Sequence, residues 1–253
     1  MNNSGQVKSD TQQTGNLTIE LTSLNKTYIV GGQPLHALQD INLQINQGDY
    51  ISLMGPSGSG KSTLLNMIGL LDRPDNGHYQ LKGRNTESLD EESRAALRRQ
   101  NIGFVFQSFH LIPRLSAVEN VEVPLMLSGV PAKKRRQKVI ALLNDLGLGK
   151  HIDQLPNQLS GGQLQRVGIA RALITAPSIL LADEPTGNLD QTSGNDVTDI
   201  LEKYNQTGIT LLVVTHDSTL GSRARRQLKM MDGRLLGTSS NTQENSSLKG
   251  RLR

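Results

Sequence analysis

The chain has 253 residues, 35% hydrophobic, 20% charged and only 3% aromatic, with a formal net charge of +4; this is enough for one large α/β domain with a buried core. The absence of cysteine excludes a disulfide framework and a thiol nucleophile. The longest apolar runs, residues 179–182 and 211–214, fall far short of the roughly 20 residues a bilayer crossing requires, so any membrane role is expected to come through a partner chain.

Residues 1–16 are rich in Asn, Gln, Ser, Thr and Gly and lack the basic start and apolar stretch of a secretory leader, so they read as a disordered arm. Residues 18–24 and 27–30 are strand-like, Gly31-Gly32 is a turn, and 41–45 alternate strictly, which predicts an antiparallel layer with one wet face. An apolar strand over 50–54 runs straight into a glycine-rich loop. The helix after that loop carries Leu64, Leu65, Met67, Ile68 and Leu71 on its buried face and ends around 72–74. Residues 78–81 return to the antiparallel layer, 88–100 read as a charged helix, and 102–106 as a buried strand ending at Gln107. Residues 108–156 are mostly helical with polar faces, broken by Pro113, Pro124, Pro131 and Gly147; an inserted helical subdomain over about 108–158 is expected.

Ser160 caps a helix whose apolar positions, Leu164, Val167, Ala170, Leu173 and Ile174, recur at three and four residues. A strand over 179–182, a helix from 191 to about 204 and a strand over 209–214 follow. Asp232-Gly233 between apolar runs at 227–231 and 234–236 is a strong hairpin signal. From 237 the chain reads as a polar, basic tail. Basic residues cluster at Lys133-Lys134-Arg135-Arg136, at Arg223, Arg225 and Arg226, and at Lys249, Arg251 and Arg253; they read as solvated faces or as a surface beside acidic lipid headgroups.

The chemistry concentrates in three segments. Gly55-Pro56-Ser57-Gly58-Ser59-Gly60-Lys61-Ser62 follows a predicted strand and opens a predicted helix, the context a phosphate-binding loop requires. Its glycines let backbone N–H groups converge on phosphates, the helix dipole favours the same charge, Lys61 supplies a cation, and the Ser62 hydroxyl is placed to ligate Mg²⁺. Asp183-Glu184 ends a strand buried on both faces, where ligands of open α/β sheets bind. There Asp183 is expected to hold the Mg²⁺ shell and Glu184 to orient the attacking water. The run Leu159-Ser160-Gly161-Gly162-Gln163 is a second glycine-rich helix start with no phosphate of its own. Two helix starts of one compact domain cannot crowd one γ-phosphate, so this one is expected to cap the phosphate bound by a second copy, in a homodimer with shared sites.

In this order the motifs resemble the nucleotide-binding subunit of ABC transporters, over roughly residues 17–236. The resemblance implies an α/β fold: a RecA-like P-loop core with an antiparallel β subdomain and the helical insert. It implies ATP and Mg²⁺ as cofactors, with Thr63 completing the loop and Gln163 the serine-glycine run. It also implies roles for Tyr28 (stacking on adenine), Gln107 (sensing Mg²⁺ and the attacking water), His216 (contacting the γ-phosphate) and Asp190 (in a loop coupling the two sites). The run 183–190, with 103–107 and 117–121, is similar to the LolD-like, MacB-like and FtsE-like branch. That branch implies a peripheral position on the cytoplasmic face of the inner membrane, an integral permease partner docked near Phe109, His110 and Leu111, and an extracytoplasmic adaptor. Leu164 departs from the glutamine often found after the serine-glycine run. Two alternatives stay open: a non-transporting signalling complex, and a soluble ATPase acting on DNA or ribosomes. The second would carry a coiled-coil insertion or tandem cassettes and neither is seen, so no nucleic-acid partner is expected.

Overall fold

A computed structural model of the chain describes residues 16–240. Of the expected arm over 1–16 only Asn16 is described; the rest of it and the tail cluster Lys249, Arg251 and Arg253 lie outside the described residues. Two sheets form. The first is antiparallel, in the order β2-β1-β4-β5, from β1 (Leu17–Val30), β2 (Gln33–Asn46), β4 (Asn76–Leu81) and β5 (Arg84–Asn85). The second has the order β10-β9-β3-β8-β7-β6. Its strands β3 (Tyr50–Met54), β6 (Ile102–Phe106), β7 (Ile179–Asp183), β8 (Thr210–Val214) and β9 (Arg226–Met231) run parallel, and β10 (Arg234–Ser240) closes the edge as a hairpin with β9.

Helix α1 (Lys61–Ile68) buries Leu64, Leu65, Met67 and Ile68 in the core shared by the two sheets. The opposite face of the parallel sheet is covered by α6 (Gln191–Gln206) and by one side of α5 (Gly161–Leu173), through Val197, Leu201, Ile169 and Leu173. The other side of α5 gives Val167 and Ala170 to a third cluster with α3 (Ala117–Leu127) and α4 (Ala132–Asp145). One helix therefore belongs to both the sheet core and the helical insert, and the seam expected near 158 runs along α5 itself.

Several local expectations are corrected. The two predicted pieces of the first strand are one, β1, bent through bulges between Leu21 and Thr27. Helix α1 stops at Ile68, and Leu70 takes φ 55 beyond it. This turn puts Leu70 in the core, 2% exposed, and leaves Leu71 47% exposed, so Leu71 is not on the buried face. Helix α2 (Glu91–Asn101) starts three residues late because Asp90 accepts the Ser93 N–H and sets the N-cap there. Pro124 does not break the insert: it sits inside α3, where the buried stripe Val118, Val121 and Leu125 outweighs a penalty of about 3 kcal/mol. Ladder bonding through Ser240 extends β10 past the expected end at 236. The short α7 (Ser218–Ser222), capped by Asp217, was not anticipated.

Candidate functional site

The glycine loop joins β3 to α1. Gly60 caps α1 at φ 100 with no side-chain cap bond, so the first N–H groups of the helix point into the loop without a competing acceptor. A Cβ at Gly60 would lie 2.3 Å from the Ala37 carbonyl oxygen, which fixes glycine there. The β9–β10 turn braces the loop from outside: the Gly233 N–H donates to Ser59 O (3.0 Å), and the Gln39 N–H donates to Gly233 O (2.8 Å). Lys61 arches over the loop, its Nζ donating to the Gly55 and Pro56 carbonyls at 2.9 Å each. These are weak substitutes for a phosphate, and the cradle holds convergent amides, one cation and the Ser62 and Thr63 hydroxyls. Triphosphate chemistry fits this set.

The loop forms the floor of a cleft of about 710 Å³, whose walls carry Tyr28, His36, Asp183, Glu184, His216 and Asp232. Strand β7 lies between β6 and β8, so Asp183 emerges at the sheet's carboxyl edge. Burial pushes the Asp183 carboxyl above the ordinary aspartate range; the neighbouring Glu184 charge adds to this and Lys61 opposes it. Ser62 and Asp183 line the same cleft. One hydroxyl and one carboxylate fit a hard cation such as Mg²⁺ that completes its shell with phosphate oxygens and water. No cluster of three or more acidic, His or Cys ligands occurs among the described residues, so a cation here would depend on the bound phosphates.

Glu184 adopts φ 46, a left-handed conformation that costs a non-glycine residue roughly 1–2 kcal/mol. Contacts with Val214 and His216 hold it there. Its N–H donates to Val214 O at 2.9 Å, and its carboxylate accepts the His216 Nδ1–H at 2.9 Å. Because a carboxylate only accepts, His216 carries its proton on Nδ1 and presents Nε2 outward, on a side chain 73% exposed. Tyr28 donates its hydroxyl to Asp72 at 2.6 Å; burial and then this bond push the phenol up to about 12. Its ring is thereby fixed at the mouth of the cleft, with Lys26 Nζ 5.2 Å from its centroid.

Not every expected residue comes to this cleft. The Gln107 side chain donates to Asn188 Oδ1 at 3.3 Å, and the Asn188 amide donates to the Gln107 carbonyl at 3.1 Å. Gln107 thus packs on the loop after β7 and does not line the cleft wall. Ser160, Gly161, Gly162 and Gln163 are also outside it. Ser160 caps α5 in a reciprocal box with Gln163: the Ser160 N–H donates to Gln163 Oε1 at 2.8 Å, and Ser160 Oγ accepts the Gln163 N–H at 3.4 Å. The Gly161 and Gly162 N–H groups take no protein partner among the described residues. Asp190 caps α6, accepting the Ser193 N–H at 2.9 Å and its hydroxyl at 2.7 Å, and that same serine lies against Gly162. The serine-glycine run and the 188–193 segment therefore form one surface, apart from the phosphate cradle. Sequence reasoning missed Asp72, which orients Tyr28. It also missed Gln165, fully buried, which ties α5 to the loop beyond Glu184 by donating to Pro185 O at 2.7 Å.

A family profile described as ABC transporter matches residues 38–187, which include the glycine loop, the serine-glycine run and the acidic pair. The chain belongs to the ABC transporter family. It is 49% identical over 216 residues to the macrolide export ATP-binding/permease protein MacB of Rhodopseudomonas palustris, covering 85% of this chain and 33% of that protein. Against the protein of the same name from Syntrophobacter fumaroxidans it is 50% identical over 218 residues, covering 85% and 30%. The chain thus spans about a third of the length of the curated relatives it matches. Among solved structures it resembles the dimeric bacterial ABC transporter cassette MJ0796, with a TM-score of 0.82, 43% identity, and coverage of 88% of this chain and 98% of that one. A post-hydrolysis state of MJ0796 bound to ADP and Pi matches with a TM-score of 0.82 and 42% identity. The fold of this chain is that of the ABC cassette, a P-loop core carrying an antiparallel sheet and a helical insert.

Proposed function

We propose that the chain binds and hydrolyses ATP in sites shared between two copies, and that closure of this homodimer drives a membrane permease of the MacB type from the cytoplasmic face of the membrane. The observation that carries the reading is the separation of two phosphate-seeking surfaces. One cleft gathers the loop, Lys61, Ser62, Asp183, Glu184 and His216, while a capped helix start with two open N–H groups, at Gly161 and Gly162, lies outside it. An ATP phosphate held in the cleft of one copy gives the Ser160–Gly162 segment of the other the anion it lacks.

In this scheme the loop amides and Lys61 hold the β- and γ-phosphates, and Tyr28 stacks on the base. Ser62 and Asp183 hold Mg²⁺, with Gln107 approaching as the dimer closes; the cation, when bound, neutralises charge on the phosphates. Glu184 orients the attacking water, and the His216 imidazole, once it turns from the Glu184 carboxylate, donates its N–H to the γ-phosphate. Asp190 lies on the surface that meets the partner and links one site to the other.

The permease would dock in the groove between the core and the helical insert, of about 400 Å³, whose lining includes Leu71, Phe104, Phe106, His110, Leu127 and Arg171. Arg171 shapes it by donating to the Phe109 and His110 carbonyls. Its apolar floor and arginine rim suit a segment with apolar residues and a carboxylate. No helix among the described residues is long and apolar enough to cross a bilayer.

The test is Glu184→Gln. Its amide keeps the shape of the site and cannot polarise water, so the variant should bind ATP, stop turning over and elute as a dimer at saturating ATP and Mg²⁺. A variant that stays monomeric while the wild type hydrolyses normally would refute the shared site.

A further inference from the structure

The serine-glycine helix start is tied to a residue outside every motif. His151 lies in the loop between α4 and α5, with one ring nitrogen on each of two glutamines: Nδ1 is 2.9 Å from Gln154 Oε1, and Nε2 is 3.2 Å from Gln163 Nε2. Hydrogen-bond logic fixes every proton in this chain. The Ser160 N–H is only a donor, so the Gln163 atom that receives it at 2.8 Å must be Oε1. The Gln163 –NH₂ group then faces His151, whose Nε2 must accept. The imidazole proton is therefore on Nδ1, and Gln154 presents its oxygen to it. Gln154 is itself anchored, since its carbonyl accepts the Ala117 N–H that opens α3, at 2.8 Å.

We infer that His151 is a positioning residue for the serine-glycine run: as the neutral Nδ1–H tautomer it holds the Gln163 amide in the one orientation that completes the Ser160 cap. The bearing of this on hydrolysis rests on the shared-site reading proposed above. A Gln163 side chain can reach the Ser160 N–H with its oxygen or its nitrogen, and only the first is a bond. A rotated amide would set –NH₂ against N–H and open the turn that aims Ser160, Gly161 and Gly162 outward. His151 removes that freedom and ties the segment to the start of α3.

The test has two parts. In the nucleotide-free wild-type chain at pH 8, imidazole nitrogen NMR should report the Nδ1–H tautomer for His151; an Nε2–H tautomer overturns the inference. The variants His151→Gln, His151→Asn and His151→Phe then separate positioning from packing. Glutamine places its amide oxygen about where Nε2 stood, whereas asparagine reaches only the Nδ1 position. His151→Gln should therefore keep the Ser160 amide protected from hydrogen exchange. His151→Asn and His151→Phe should lose about five- to tenfold in that protection, the worth of one hydrogen bond.

In proteins also carrying Glu184→Gln, ATP-dependent dimer affinity should follow the same order, while ATP affinity of the monomer stays level across all three. Equal effects of the three substitutions on Ser160 exchange would show that the residue only fills space and would refute the inference. If exchange follows the predicted order while the wild type never dimerises, the positioning role stands and the shared-site reading fails.

Discussion

Substituting Gly60 by alanine isolates the geometry on which the phosphate cradle depends. Two effects add. The residue sits at φ 100, so any Cβ there strains the backbone by roughly 1–2 kcal/mol. That Cβ would also lie 2.3 Å from the Ala37 carbonyl oxygen and 2.8 Å from the Met230 methyl. The methionine can swing away; the carbonyl belongs to β2 and must be pushed by about 1 Å, at roughly 1–3 kcal/mol by analogy with overpacked cores. The sum, near 3–4 kcal/mol, should lower Tm by about 10 °C in a domain of this size. Gly58 is the control, because at φ 80 it has open space where a Cβ would go. Gly58→Ala should carry the backbone term alone and cost about 4 °C. Differential scanning fluorimetry of the nucleotide-free proteins, followed by ATP titration, reads both effects. Gly60→Ala should also bind ATP more weakly, since the loop escapes the carbonyl only by opening. Equal melting of the two variants, with ATP affinity unchanged in Gly60→Ala, would refute the claim that β2 presses directly on the loop.

Asp183→Asn should raise the Tm of the nucleotide-free chain at neutral pH and abolish Mg²⁺-dependent hydrolysis. The sign follows from the upward shift of this carboxyl: its charged form is disfavoured in the fold, so ionised Asp183 destabilises above its unfolded range, and wild-type stability recovers as pH falls through the folded value. A lower Tm for the variant would contradict this. Asn120→Ala should cost roughly 2–4 kcal/mol by urea denaturation. This fully buried amide accepts the Ile112 N–H at 2.7 Å and donates to the Ile112, Leu115 and Ser116 carbonyls, pinning the strap between β6 and α3. A loss under about 1 kcal/mol would mean that the strap finds other partners.

Strands β3 and β6 could be read from the sequence to the residue, because each is a short apolar run buried on both faces and bounded by turn chemistry. The glycine loop and the acidic pair were equally legible, since each is a run of adjacent residues at the end of an apolar strand. What escaped notice depends on contacts distant in sequence. Asp72 earns its place by meeting Tyr28 across 44 residues, a pairing that exists only once α1 is seated under the antiparallel sheet. Leu70 and Leu71 exchange places because a single left-handed residue follows the helix, and periodicity cannot register a break in its own period. Pro124 misled for the opposite reason: local propensity argues for a break and the tertiary cluster around Val121 and Leu125 overrides it. Gln107 was legible as a strand end, but the loop at Gly187 and Asn188 that receives it comes from another strand of the sheet.

The central claim, that each catalytic centre is assembled from two copies, is tested most directly by mixing two inactive variants. Lys61→Ala removes the loop cation and Ser160→Arg blocks the capping surface, so neither homodimer should hydrolyse ATP. An equal mixture forms heterodimers in which one site unites the intact Lys61 of one chain with the intact Ser160 of the other. With random pairing and independent sites, about a quarter of wild-type activity per chain should return. Activity that stays at the level of the separate variants, although heterodimers are present by mass, would contradict the account.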